Sequence, residues 1–308
     1  MKDYLNDING RFPIRNSREQ KKAFRAYAIS EAQAAGYTAR TVPENGGHDN
    51  VVIGEPEKAQ IIFTAHYDTP RRALFPNLML PTNPFLKFAY LFAVIVPMLA
   101  IAILAGVAVR KLTGLEGMAG RFVYFGVYVA VYLGLFLLMF LGPANKHNIN
   151  DNTSGTAAVL TLAQKLSGDP SAAFILFDNE EKGKKGSKAF AASHPDIKTG
   201  TLVVNLDCVG NGDTFIAGAS SSAMGDPRFP ALKASLENAG GKVFPASKAG
   251  MNSDHRSFDR SVGIAACLYK KGVGYYTPRI HTGRDTVASP ENIEKLTDAL
   301  NEFVKDNV

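Results

Sequence analysis

The chain has 308 residues, of which 46% are hydrophobic and 20% charged, with no Trp, two Cys and a formal net charge of +6. That composition excludes a disordered tail, a collagen-like repeat and a small disulfide scaffold. The length suits one large domain or two ordinary ones, and the basic excess raises nucleic acid or anionic lipid as partners.

The opening segment, MKDYLNDINGRFPIR, is polar and lacks the apolar core of a signal peptide. Residues 17–36 read as a first helix, with Ser17 as N-cap, Gln20 three residues on and Gly36 as the stop. An apolar run at Ile61–Ala65 reads as a strand. Two uncharged stretches follow, 22 residues at Phe88–Val109 and 20 at Phe122–Leu141, in which only Pro97, Gly106, Gly126 and Gly134 are not hydrophobic. About 20 such residues at roughly 1.5 Å rise cross a hydrocarbon core of about 30 Å. Buried core helices, or an apolar hairpin docking a second subunit, are the alternative. Core helices usually keep a polar face, however, and neither stretch has one. Twelve residues separate the two, with Arg110, Lys111 and Arg121 at their inner ends. The expectation is a transmembrane hairpin inserted as residues 84–142, with spans near 88–109 and 122–141. Pro97 is expected to kink the first span, which bilayer helices tolerate. Tyr124, Tyr128 and Tyr132 share one helical face and read as helix-pairing or interfacial packing.

The charge can then be placed. From Arg71 to Lys146 there are seven basic residues and one acid, Glu116, so this segment holds the whole excess of +6. Its basic residues flank the hairpin, where they can meet anionic headgroups of a lipid bilayer. No separate basic patch and no nucleic-acid motif remain, so nucleic acid is not an expected partner. Four cations on the domain side against three in the short loop leave the positive-inside count nearly even. The lack of a signal segment favours both termini and the catalytic domain in the cytoplasm. Two Cys make no disulfide framework.

Beyond the hairpin, apolar runs at Ala172–Phe177, Leu202–Leu206 and Val262–Tyr269 alternate with helical stretches at Gly155–Leu166, Gly186–Ala192 and Phe229–Ala239. A last helix begins at Ser289-Pro290-Glu291, a cap followed by Pro and an acid. The alternation predicts an α/β domain with a mixed, mostly parallel sheet flanked by helices. Residues 1–83 and 143–308 would form this single domain, with the hairpin interrupting it.

Ligands of open α/β sheets bind beyond the carboxyl ends of the strands. Here Ile61–Ala65 runs into His66-Tyr67-Asp68, Ala172–Phe177 into Asp178-Asn179-Glu180-Glu181, and Leu202–Leu206 into Asp207. Asn150-Asp151-Asn152 precedes a helix, and His281-Thr282-Gly283-Arg284-Asp285 comes late in the chain. A single His or Asp at a strand end is usually a capping or surface residue; five such groups arriving together are harder to dismiss. Two His and three carboxylates suit a pair of divalent ions such as Zn²⁺. A carboxylate shared between ions about 3.5–4 Å apart would hold a water between them. Asp68 is placed to accept the second N–H of His66, and Asp285 is near enough in sequence to do the same for His281. Glu180 and Glu181 point apart, so one can ligate while the other faces the water as general base.

HYDTP (66–70), NDNTSGTAAVLTLA (150–163), FDNEEKGKKGSKAF (177–190), NLDCVG (205–210), SDHRSF (253–258) and HTGRDT (281–286) resemble the motif series of the M28 metallopeptidases. This family of co-catalytic zinc aminopeptidases also holds related carboxypeptidases and single-zinc glutaminyl cyclases. The resemblance runs in order over about residues 20–305, with the hairpin as the departure. It implies that His66 and Asp207 bind one metal, that Glu181 and His281 bind the other, and that Asp151 bridges them. Glu180 would be the general base and proton donor to the leaving amine, and Asp68 would orient His66. Asn150 stands where the family often has a second acid. The motif at Ser253-Asp254-His255 receives a supporting role, with His255 not a ligand. Asp178 reads as a structural acid, and His48, His147 and His194 as solvent-facing. Tyr275 and Tyr276 are near His281 in sequence, as substrate-wall packing or an oxyanion donor.

The resulting expectation is a membrane-anchored di-zinc exopeptidase, an aminopeptidase hydrolysing N-terminal residues of peptides. A carboxypeptidase or an amidohydrolase of acyl-amino acids would share the same metal set. A noncatalytic, membrane-tethered binding module is the non-enzyme alternative, and it would be expected to have lost ligands. No G-x-S-x-G is present and neither Cys sits in a nucleophile motif, which leaves serine and cysteine hydrolases without support.

Overall fold

In chain order the helices and strands of this computed structural model, which describes residues 2–73 and 77–308, begin with α1 (Tyr4–Arg11), α2 (Arg18–Ala34), β1 (Ala39–Glu44), β2 (His48–Ile53) and β3 (Ile61–His66). The hairpin helices α3 (Pro84–Thr113) and α4 (Gly117–Phe140) follow, then α5 (Gly155–Leu166), β4 (Ala172–Phe177), α6 (Lys185–Ser193), α7 (Pro195–Gly200) and β5 (Leu202–Leu206). The chain ends with β6 (Thr214–Ala219), α8 (Ser221–Met224), α9 (Phe229–Asn238), β7 (Lys242–Pro245), β8 (Ser261–Lys270), β9 (Gly274–Tyr276) and α10 (Pro290–Asn307).

Local chemistry sets several of these boundaries. Ser17 caps α2 in a reciprocal capping box with Gln20, and Gly36 takes the left-handed turn (φ 90°) that stops it. Ser289 caps α10 ahead of Pro290 and Glu291. The first strands of the core, β3, β4 and β5, are buried along their whole length, which explains why they read as apolar runs; the two polar residues within those runs, Thr64 and Asn205, hydrogen-bond to each other at 2.8 Å.

The sheet order is β1-β2-β4-β3-β5-β8-β6-β7, with β9 added beside β8. β3 runs parallel to β4 and β5, and β5 parallel to β8, so the carboxyl ends of four central strands lie along one edge. The antiparallel pairs β1–β2, β2–β4 and β6–β8 make the sheet mixed. One face packs on α1, α2, α5, α9 and α10; the other carries Phe177, Phe190 and Phe258 against α6 and α7.

The opening segment, polar by sequence, folds as α1 because Tyr4, Leu5 and Ile8 reach the core. His48, His147 and His194 are half-buried rather than solvent-facing: the His194 ring stacks on Phe190 at 4.1 Å, and His48 Nδ1 meets the Asn179 amide at 3.0 Å.

α3 and α4 pair along a stripe of buried Val94, Met98, Ala102 and Gly106 on α3. A Cβ at Gly106 would stand 2.9 Å from both the ring and the carbonyl of Tyr124, so only glycine permits this crossing. Tyr124, Tyr128 and Tyr132 stack at 6.4 and 6.2 Å along α4. Both helices are long and apolar enough to cross a membrane, with mean hydropathies of 2.8 and 1.8, yet only 17% and 0% of their apolar windows are buried. A core helix pair would be covered; these expose Phe88, Phe92, Leu104, Phe122 and Phe125. At the hairpin's root, Arg71 bridges Ala144, and the Arg72 amide donates to the Pro143 carbonyl at 2.9 Å.

Candidate metal centre

β3 ends in His66, and the next residues turn Asp68 back beneath it. His66 Nδ1 lies 3.4 Å from Asp68 Oδ1. The same Asp68 carboxylate accepts the backbone N–H groups of Glu180 (3.0 Å) and Glu181 (3.3 Å), so it fixes the turn after β4 as well as the imidazole. Four non-glycine residues in this region, Asn179, Cys208, Arg279 and His281, have φ between 56° and 69°, a conformation that side chains disfavour. Such departures cluster where surrounding structure fixes a site.

Asp151 stands at the centre. Its Oδ1 is 3.5 Å from His66 Nε2, and its Oδ2 is 3.0 Å from His281 Nε2. His66 Nε2 is also 3.9 Å from Asp207, and His281 Nε2 is 3.2 Å from Glu181. The donor atoms fall into trios whose members lie within 4.8 Å of one another: His66, Asp151 and Asp207; Asp151, Glu181 and His281; and His66, Glu180 and Glu181. All the side chains singled out as ligands or base from sequence therefore meet in one cluster.

The electrostatics are those of a surplus of carboxylates. Burial and the neighbouring acids, Asp254 foremost, raise Glu180 well above the usual carboxylate range. Burial likewise raises Glu181 and Asp207, and pushes Asp254 up to about 7. Burial opposes the charge of His66 and His281, but the facing carboxylates outweigh it and hold both imidazoles well above their ordinary value. Burial also works against the Asp151 carboxylate, and the two imidazoles overcome it. Glu181 Oε1 and Asp207 Oδ1 are buried without a hydrogen-bond partner. Unpaired buried carboxylate oxygens are costly, and oxygen and imidazole donors in this arrangement fit divalent cations.

Several residues outside the donor cluster support it. Asn150 aims away from the cluster: its Oδ1 accepts from the amides of Gly210 and Asn211, each at 2.9 Å. Asn152 Oδ1 accepts from Gly155 and Cys208. The two amides staple the Asp151 loop to the Asp207 loop. Asp285 is not the partner of His281; its carboxylate accepts the backbone N–H groups of Asn150 (3.2 Å) and Asp151 (3.0 Å). Arg15, fully buried, donates from Nε to the Tyr67 carbonyl (2.5 Å) and from Nη2 to Thr153 Oγ1 (3.0 Å), tying together the loops that bear His66 and Asp151. Lys21, buried on α2, holds Asp178 beside the Glu180 turn. Its signal was a cation in line with Phe24, Ala28 and Ala32 on the core-facing side of a helix.

His255 is buried, its pKa pushed down to about 3 by burial, and its ring fills the space left by Gly263. It joins none of the donor trios among the described residues. Tyr275 packs against Tyr269 (5.1 Å) under the Lys242 ammonium. The root of the hairpin touches the site, because the Ala73 amide donates to the His281 carbonyl at 2.8 Å.

Imidazoles and carboxylates gathered at the carboxyl edge of the parallel strands fit a metal-dependent hydrolase. The chain is a member of peptidase family M28, whose family model matches residues 139–304. No curated protein matches it. Among solved structures, a Zn-dependent exopeptidase from Parabacteroides distasonis is similar in fold, with 14% identity, TM-score 0.59, and 99% of this chain and 96% of that one covered. The LapA aminopeptidase of Legionella pneumophila has 14% identity and TM-score 0.58 over 98% of this chain and 69% of its own. The glutaminyl cyclase of Porphyromonas gingivalis has 13% identity and TM-score 0.58 over 99% and 96%.

Proposed function

We propose that the protein is a membrane-anchored aminopeptidase whose site holds two divalent ions, zinc by preference. His66 and Asp207 would hold one, Glu181 and His281 the other, with Asp151 shared. The observation that carries this reading is the division of one carboxylate between two imidazoles, Oδ1 toward His66 and Oδ2 toward His281. Two such trios favour a pair of ions over a single-ion cyclase. The chemistry such ions supply is Lewis-acid polarisation of the scissile carbonyl and acidification of a water.

Glu180, raised by burial and by neighbouring acids, takes the proton of the attacking water and passes it to the leaving amine. Asp68 keeps Glu180 and Glu181 at the cluster by accepting both of their amides. A zinc exopeptidase and an aminopeptidase among the structural neighbours support the choice of reaction.

The exposed apolar surface of α3 and α4 supports anchoring. Residues 1–83 and 143–308 would then form one catalytic domain, on the cytoplasmic side, around a spanning hairpin at 84–142. Because the hairpin's root is bonded to the His281 loop, the site would open beside the bilayer and favour peptides with apolar N-terminal residues.

The test is a panel of free and N-blocked peptides, assayed with the full chain in lipid and with zinc, cobalt or manganese. Cleavage of free N-termini alone is expected. Cleavage of free and N-blocked peptides alike indicates a carboxypeptidase, cleavage of N-blocked substrates alone an amidohydrolase of acyl-amino acids, and no metal-dependent cleavage of any peptide leaves the binding module.

A further inference from the structure

We propose that the tip of the β8–β9 hairpin, Tyr269–Val273, is a second membrane contact that docks the catalytic domain on anionic lipid headgroups beside the start of α3. The proposal rests on the reading that α3 and α4 span a bilayer.

The tip is tied to the helix entrance. Asn83 is the N-cap of α3, its Oδ1 accepting the Leu86 amide at 3.0 Å. The Nδ2 of the same side chain donates to the Val273 carbonyl at 2.9 Å. One residue earlier, Thr82 Oγ1 accepts the Tyr275 amide at 3.4 Å, and the Thr277 amide donates to the Met79 carbonyl at 3.0 Å. These bonds tie the tip to the point where the chain enters α3.

That tether fixes its depth. Phe88 opens the uncharged run and lies five residues past Asn83, about 7.5 Å along a helix. A bilayer about 40–45 Å thick with a core of about 30 Å leaves roughly 5–7 Å of headgroup on each side. With Phe88 at the hydrocarbon boundary, the Asn83 cap and the Val273 carbonyl bonded to it stand no farther out than about the outer edge of the headgroups.

The chemistry suits that layer. Tyr269 is 59% exposed at the tip, and Lys270 and Lys271 beside it are exposed as well. Among the described residues Lys87, Lys270 and Lys271 form no ion pair. The two segments that meet here, 77–88 and 268–279, contain four basic residues and no acid. An amphipathic ring with unpaired ammonium groups is the composition of a membrane interface, and anionic headgroups attract lysines held at that height. A lysine-tipped hairpin can also be a plain solvated turn that guards a sheet edge. A solvated turn needs no tie to an apolar helix entrance and no exposed Tyr.

The full chain, reconstituted in phosphatidylcholine nanodiscs with and without phosphatidylglycerol, tests this by hydrogen exchange of residues 268–276. The turn amides should exchange about tenfold more slowly in the anionic discs. Lys270→Glu with Lys271→Glu should abolish that difference while leaving peptide turnover in detergent unchanged. Equal exchange in both discs, with the chain incorporated, overturns the tip contact alone. Failure of the chain to enter discs of either kind overturns the spanning reading and this one with it.

Discussion

Lys21 Nζ lies 2.5 Å from Asp178 Oδ1 and 2.8 Å from Asn179 Oδ1, so a cation on α2 fixes the turn that presents Glu180 and Glu181. Both partners of the pair are buried. Removing one partner of a buried pair leaves an uncompensated charge and costs about 3–5 kcal/mol. Lys21→Met should therefore lower the thermal midpoint sharply, and Lys21→Met with Asp178→Asn should recover part of the loss. Unfolding curves of the three proteins in one detergent check this. A double variant no better than the single one would show that the ion pair is not the source of the loss.

Glu180→Ala should reduce kcat by at least about 10²–10⁴. Metal content per chain should stay near that of the unaltered protein, because the base need not be a ligand. Elemental analysis beside the peptide assay separates the outcomes, and metal lost together with activity would assign Glu180 to the ligand set.

Asp151 and His281 should differ in what their removal does to metal content. His281→Ala takes a donor from one trio only, so about one ion per chain should be retained. Asp151→Ala takes a donor from both, and bound metal should fall below one ion per chain. Equal losses in the two variants would count against a shared Asp151. Chelator should abolish activity in the unaltered protein, and zinc should restore it.

Asp226 offers a test of pH-dependent stability away from the metal centre. Hydrogen bonds from Arg228, with Arg260 at 3.1 Å, hold this buried carboxylate down at about 2. A depressed pKa stabilises the fold above the unfolded-state value and ceases to do so as pH falls through the folded one. Its contribution of about 2 kcal/mol is thus complete above about pH 5 and lost between about pH 4 and 2. The stability gap between the unaltered protein and Asp226→Asn should be constant from neutral pH to about pH 5. It should narrow below that, as measured by denaturant titration at each pH.

The central strands and the site were legible because their signals are local. A fully buried strand reads as an apolar run, and β4 and β5 begin and end where those runs do. His66 and Asp207 directly follow such runs and Glu181 comes four residues after one, whereas Asp151 precedes α5 and His281 lies in a turn beyond β9. The edge of the sheet was not legible. β1 is largely exposed and contains Pro43, which an edge strand tolerates, and it shows no alternation. The eight residues of α1 are stabilised by three side chains reaching the core, a tertiary effect. Arg15 and Lys21 find their partners 138 and 157 residues away, and no local pattern encodes a contact of that range. Asp285 was misassigned because nearness in sequence suggested His281, whereas the turn aims its carboxylate at two backbone amides.

The position of the hairpin within the sheet bears on how the chain is made. β3 is encoded before α3, but its two neighbours, β4 and β5, are both encoded after α4. During synthesis β3 thus emerges as an unpaired, largely apolar strand, and it stays so until the hairpin and the remaining strands have been made. Parallel pairing of this kind is slow, and unpaired strands invite association with other chains. The first 83 residues therefore wait longest for their partners, and the cluster around Asp151 cannot close until His281 has been made.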